Sequence, residues 1–248
     1  MGFFCLSMIV NYTEAGWQII TQRAHGLIAA QICARWKNSN QPARWLETLI
    51  ATAEHDDVYN EFEDDQLLNE NGGPVDFKMT GFRAHMCKRQ LEMALTKSRY
   101  IALLTARHIH FVHGKDNAAK EFCRELQKQE RKWLKESGAT LEDIDASYEL
   151  LEFCDAFSLL ICQGLIQPEQ RKMEISNGPD QKSYGFFMSE DGALVVEDWP
   201  FEPDAFTIVY ESRTIAQLTF ESIAEFKKAV DLAKVHNHEL VIRKNNGK

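Results

Sequence analysis

Three helix-patterned segments of this chain carry a metal-ligand type of side chain where the 3.6-residue period calls for an apolar one. His25 stands on the stripe His25/Ile28/Ala29/Ile32/Trp36, and Asp155 on the stripe Tyr148/Leu151/Asp155/Ser158/Cys162. The third segment ends in Ala53-Glu54-His55-Asp56-Asp57, where His55 follows Ala51 and Thr48 by four and seven positions. That places it at the margin of the face formed by Leu46, Leu49, Ile50 and Ala53. A lone inward histidine is ordinarily a hydrogen-bonded core residue. A buried aspartate must be paired or metal-bound, because an isolated ionised carboxylate is very costly in an apolar medium. A hard or borderline divalent cation takes imidazole nitrogen and carboxylate oxygen together. His25, His55, Asp56 and Asp155 supply that mixture from three helices, as bundle cores build metal sites from facing side chains.

Around these segments the periodicity predicts a mainly α chain. Met1 to Val10 is apolar but short, lacks a basic n-region and a cleavage site, and reads as an N-terminal strand. Met8 to Thr21 suits a hairpin turning at Glu14-Ala15-Gly16. Helices are expected from Thr21 as N-cap to about Trp36, from Ala43 to about Tyr59, from Gly81 to His113, over Asn117–Ser137, and from Leu141 to about Ile166. Thr140 with Asp143 resembles a capping box. The acidic, glycine-bearing stretch Glu61 to Asp76 is a long loop, read either as a pocket rim or as a solvated connector. After Pro168 the texture becomes β-rich, with runs at Tyr184–Met188, Ala193–Val196, Phe206–Tyr210 and Glu239–Ile242 and one helix, Ser222–Lys234. The expectation is a helical domain over residues 1–167, with short N-terminal strands, and a smaller β-rich C-terminal layer over 168–248 packed on it.

The net charge of −9, with acid and base interspersed, argues against a nucleic-acid polymer as partner. It leaves anionic small molecules open, because a bound cation inverts the local field. No run approaches the length of a membrane span. Six cysteines without close pairing read as buried free thiols in a reducing cytoplasm. His236 and His238 alternate in a polar segment and are expected to be exposed. Trp199-Pro200-Phe201 suits either the core or the interface of a homodimer.

The order His25, then His55-Asp56, then Asp155 resembles the HD-domain superfamily of metal-dependent phosphohydrolases. More narrowly, the chain is similar along nearly its whole length to a bacterial family of unknown function. The pieces carrying that similarity are Gln22-Arg23-Ala24-His25, Glu54-His55-Asp56-Asp57, Gly73-Pro74-Val75-Asp76-Phe77, Ala102-Leu103-Leu104 to His108, Phe153-Cys154-Asp155-Ala156-Phe157-Ser158-Leu159 and Trp199-Pro200-Phe201. Where glycine and tryptophan commonly follow the His-Asp pair, Val58-Tyr59 stand here, which affects the pocket wall.

The superfamily resemblance implies an HD-like bundle. It implies His25, His55, Asp56 and Asp155 as ligands of a divalent metal (Mn, Fe, Co, Ni or Zn). His108 would be a fifth ligand, with His110 and His113 as alternatives to it. His110 stands about 200° around an ideal helix from His108, so the two cannot both face one site. The implied activity is hydrolysis of a small phosphate ester, possibly a nucleotide, with Asp57 or Glu54 as general acid or base. Two further functions stay open: an HD-type di-iron oxygenase, and a non-enzymatic ligand-binding or regulatory protein. The candidate phosphate-binding cations are Arg23, Lys88, Arg89 and Arg107.

Overall fold

The computed structural model describes residues 8–63 and 66–245; the part of the expected N-terminal strand over residues 1–7 lies outside them. The hairpin forms as β1 (Met8–Thr13) and β2 (Gly16–Thr21), turning at Glu14-Ala15. Gly16 closes the turn with φ +112°, and a Cβ there would come within 2.2 Å of the Ile215 carbonyl oxygen. Only glycine permits both the angle and the approach.

That approach belongs to a strand pairing that overturns the expected helical bundle with a C-terminal β layer. β2 is hydrogen-bonded to β6 (Ala205–Ile215), with Trp17 opposite Ile215 and Ile19 opposite Arg213. Among the described residues there is one mixed seven-stranded sheet, ordered β1-β2-β6-β7-β5-β4-β3. Here β3 is Met173–Asn177, β4 Ser183–Met188, β5 Leu194–Val196 and β7 Lys234–Lys244. The β5–β7 pair is parallel and the remaining pairs are antiparallel. The fold is therefore α+β, with the sheet drawing strands from both ends of the chain. A two-stranded hairpin is marginal by itself in water. This one joins the sheet, and Ile9 and Ile20 then share a core with Phe186, Ile208 and Ile242.

Helices α1 (Gln22–Cys33) and α6 (Leu141–Cys162) pack into the same core through Ile28, Ile32, Phe153 and Phe157. The stripes expected on both helices are inward: Ile28, Ala29 and Ile32 are fully buried, as are Leu151, Ser158 and Cys162. Thr140 and Asp143 make the reciprocal capping box that starts α6. A second core lies among α3 (Ala84–Leu95), α4 (Arg99–His113), α5 (Lys120–Ser137) and the N-terminal part of α6. α6 is thus the wall common to both cores, since Leu151 belongs to one and Phe153 to the other.

Several element boundaries differ from expectation. The single helix expected over Gly81–His113 is two, because Ser98 breaks it and caps α4 by accepting from the Ile101 N–H (3.1 Å). Helix α2 (Trp45–Ala53) ends before the His-Asp pair. Its buried face is Thr48, Ala51 and Thr52, whereas Leu46 is exposed. Each threonine hydroxyl donates to the carbonyl four residues back, Thr48 to Arg44 (3.1 Å) and Thr52 to Thr48 (2.9 Å). A hydroxyl satisfied in that way buries as if it were a methyl group, which an apolar count cannot register.

The stretch from Glu61 to Asp76 is tied down at its C-terminal half. Leu67 and Val75 are buried in a third cluster with Phe220 and Phe226, and the Phe220 N–H donates to the Gly72 carbonyl (2.9 Å). α7 (Ile223–Leu232) supplies Phe226 to that cluster. Among the described residues no helix is long and apolar enough to cross a membrane. Cys33, Cys123, Cys154 and Cys162 are buried free thiols, and Cys87 is buried as well.

Candidate metal centre

β2 passes directly into α1 at Thr21, which is both the last strand residue and the N-cap, accepting from the Ala24 N–H (3.2 Å). The strand therefore aims the first turn of the helix, and His25 projects from it fully buried. Gly26 brings α1 against the end of α2. A Cβ at that position would lie 2.7 Å from the Ala53 carbonyl oxygen. Past Ala53 the chain turns through residues 54–58 instead of continuing as helix. The turn is held from outside, by Gln90 Nε2 donating to the His55 carbonyl and Arg23 Nη2 to the Asp57 carbonyl (2.7 Å). It carries His55 inward beside His25.

The two imidazoles face each other with Nε2 atoms 3.0 Å apart. Their tautomers follow from their other nitrogens. His55 Nδ1 lies 2.8 Å from the Thr52 carbonyl, which can only accept, so Nδ1 carries the hydrogen. Ser158 Oγ donates to the Asp155 carbonyl (2.9 Å) and therefore accepts from His25 Nδ1 (2.7 Å). The facing Nε2 atoms are therefore the positions left for a shared proton or a cation. Asp155 Oδ1 stands 3.0 Å from one and 3.3 Å from the other. Asp56 Oδ2 stands 4.0 Å and 3.6 Å from the same pair, steadied by Gln22 Nε2 (3.2 Å).

Four electron-rich atoms converging in a buried space favour a positive charge among them, either a proton or a metal ion. Ligand atoms about 2.1 Å from a common ion stand about 3.0 to 3.4 Å apart in octahedral or tetrahedral arrangements. The three closest separations here match that range, and the donor set of two imidazoles and two carboxylates suits a borderline divalent ion. Both histidines also have the hydrogen-bonded Nδ1 typical of imidazoles that bind metal. His108, from α4, completes the cluster: its Nε2 is 3.9 Å from Asp56 Oδ1 and its ring lies 5.1 Å from that of His55. Its buried Nδ1 has no hydrogen-bond partner among the described residues. His25, His55 and Asp56 form one potential ion-holding group, and His55, His108 and Asp155 an overlapping one.

A family model described as "Protein of unknown function (DUF3891)" matches residues 8–217. The chain belongs to the DUF3891 family. The matched span takes in all five of these side chains and every strand of the sheet except β7. No curated protein and no solved structure matches this DUF3891 chain.

The centre opens into a cavity of about 330 Å³, lined by Asp56, Asp155 and His108 at one end and by Phe77, Phe82 and Leu159 along its walls. Glu54 and Asp57 do not reach it. They border a separate recess of about 10 Å³ beside Gln90, with Glu54 paired to Lys97 (2.9 Å) and Asp57 to Arg23 (3.8 Å). His110 turns to Glu130 of α5 (2.5 Å), whereas His113 borders the cavity. The four candidate phosphate-binding cations are engaged elsewhere: Arg23 with Asp57, Lys88 with Glu92, Arg89 with Glu63 and Arg107 with Asp145. Lys78, which sequence reasoning passed over, lines the cavity; it sits in a polar loop with no periodic signal. His236 and His238 are half-buried instead of exposed, His238 stacking on Tyr210 and meeting Ser212 Oγ (2.7 Å).

Electrostatics shows what the centre does without an ion. Burial would lower the pKa of His55, but the carboxylates of Asp56 and Asp155 outweigh it and push the value up to about 10. Asp155, despite burial that would raise it, is held well below the usual carboxylate range by His55 and His25. The metal-free chain thus keeps a proton on His55. Because the folded value exceeds the ordinary 6.5, this stabilisation is fully present below pH 6.5 and is lost as pH rises through about 10. A metal ion held there would displace that proton, so its affinity would rise over the same interval. The melting-temperature difference between loaded and chelated protein is therefore expected to widen from pH 6.5 upward. A constant gap across a pH series of thermal melts would contradict the shared use of His55.

Proposed function

We propose that this chain is a metal-dependent hydrolase of a small phosphate ester, built on an HD-like ligand set of His25, His55, Asp56 and Asp155 with His108 beside it. One observation carries the reading: two imidazole Nε2 atoms facing at 3.0 Å, flanked by a buried carboxylate. In the metal-free chain a proton on His55 bridges the pair, and a divalent ion would take its place with the carboxylates as further ligands. An ion held there supplies a Lewis acid and activates water near neutral pH.

The chain's own residues do the rest. Thr52 and Ser158 keep Nδ1 protonated on both histidines, Gln22 orients Asp56, and burial of His25 and His55 keeps bulk water off the ligands. The cavity is the size of one small-molecule ligand, which favours a nucleotide or similar ester over a polymer.

The test is elemental analysis of protein purified without added metal, then phosphate release from a panel of nucleotides and phosphomonoesters with and without divalent ion. One ion per chain and metal-dependent release are expected. Chelation should lower the melting temperature by about 5–10 °C, for an ion present at about a hundred times its Kd. Protein that takes up no ion, and melts identically with and without chelator, would falsify the reading. A di-iron oxygenase is the second reading, favoured by the overlapping His55/His108/Asp155 group; two irons per chain would select it.

A further inference from the structure

The carboxylates of Asp56 and Asp155 would offset the charge of a divalent ion, so a dianionic phosphate would be drawn there by direct coordination more than by net charge. A positive charge in the cavity wall would add to that attraction. Among the described residues, Lys78 is the lysine or arginine that lines it. Its ammonium has no carboxylate partner among them and lies 5.6 Å from the centre of the Phe77 ring. An unpaired surface lysine is ordinary, but this one is set apart by its mounting. Asp76 accepts from the Lys78 N–H through Oδ1 (3.0 Å) and from the Val10 N–H of β1 through Oδ2 (3.0 Å). The short turn Phe77–Met79 is thereby fastened to the sheet, so Lys78 lines the cavity from a fixed base.

The geometry points to Lys78 as the residue that takes the anionic group of a small phosphate ester at the cavity mouth, with the ester's organic part against Phe77, Phe82, Val112 and Leu159. The assignment rests on the hydrolase reading above and adds to it the group that selects an anion. A nucleoside monophosphate fits this description: its charged end faces Lys78 and the ligand cluster, and its base meets the aromatic wall.

The experiment titrates inorganic phosphate calorimetrically into manganese-loaded wild type, Lys78→Gln and Lys78→Arg, with ion content measured on the same samples. Losing one charge-assisted contact is expected to weaken phosphate binding about tenfold or more in Lys78→Gln. Lys78→Arg should stay close to wild type, and added salt should weaken wild type more than Lys78→Gln. Lys78 is exposed, so both variants should fold. Equal phosphate affinity in ion-replete wild type and Lys78→Gln overturns the role of Lys78 and leaves the hydrolase reading standing. Wild type that takes up no manganese, or takes it up and binds no phosphate, overturns both.

Discussion

On the proposed metal-dependent hydrolase reading, an Asp155→Ala chain is expected to purify without an ion and to release phosphate only at background. Asp155 Oδ1 is the nearest carboxylate oxygen to both facing Nε2 atoms, 3.0 Å and 3.3 Å away. Outer-sphere changes around a metal typically cost about 10–100-fold in affinity, and loss of a direct ligand should cost more. The fold should survive. Removing one partner of a buried ion pair can cost about 3–5 kcal/mol, but His55 can surrender its proton and go neutral, which limits the penalty. The measurements are ion content, turnover and a far-ultraviolet spectrum on one preparation. Full ion content in a folded Asp155→Ala chain would remove Asp155 from the centre.

Gly26→Ala is expected to damage the centre without touching a ligand. The added methyl would lie 2.7 Å from the Ala53 carbonyl oxygen, which is backbone and cannot rotate away. Either α1 backs off α2 or the turn after Ala53 shifts, and both separate His25 from His55. Overpacking of this kind costs about 1–3 kcal/mol, or a fall of about 2–12 °C in melting temperature for a chain of this size. Metal affinity should drop as well, because Nε2 atoms 3.0 Å apart tolerate little displacement. An alanine variant with wild-type melting and ion content would show that the helices accommodate the methyl and that their close approach does not set the centre.

The parts of this centre that were legible in the sequence are those carried by helical periodicity. His25 and Asp155 stand out because they sit on largely apolar helical stripes, and Ile28, Ala29, Ile32, Leu151 and Cys162 of those stripes are buried. His55 and Asp56 were legible as residues but not as geometry: they lie beyond the end of α2, in a turn shaped by Gln90 and Arg23 from elsewhere in the chain. The inward face of α2 is invisible to an apolar count because Thr48 and Thr52 satisfy their own hydroxyls. The sheet was misjudged for a different reason. Register between residues 17–19 and 213–215 is a contact across nearly the whole chain, and local patterning says nothing about it. Lys78 escaped notice because a loop position has no period to violate.

The contact between Val10 and Asp76 has a bearing on solubility. Among the described residues β1 is an outer strand of the sheet, where open backbone groups can template pairing with another molecule. The Val10 N–H is already occupied by the Asp76 carboxylate (3.0 Å), and a negative charge is planted beside that border. A neighbouring copy that tried to extend the sheet there would have to evict the carboxylate first, so the same side chain that steadies the cavity wall also guards the protein against ribbon-like self-association.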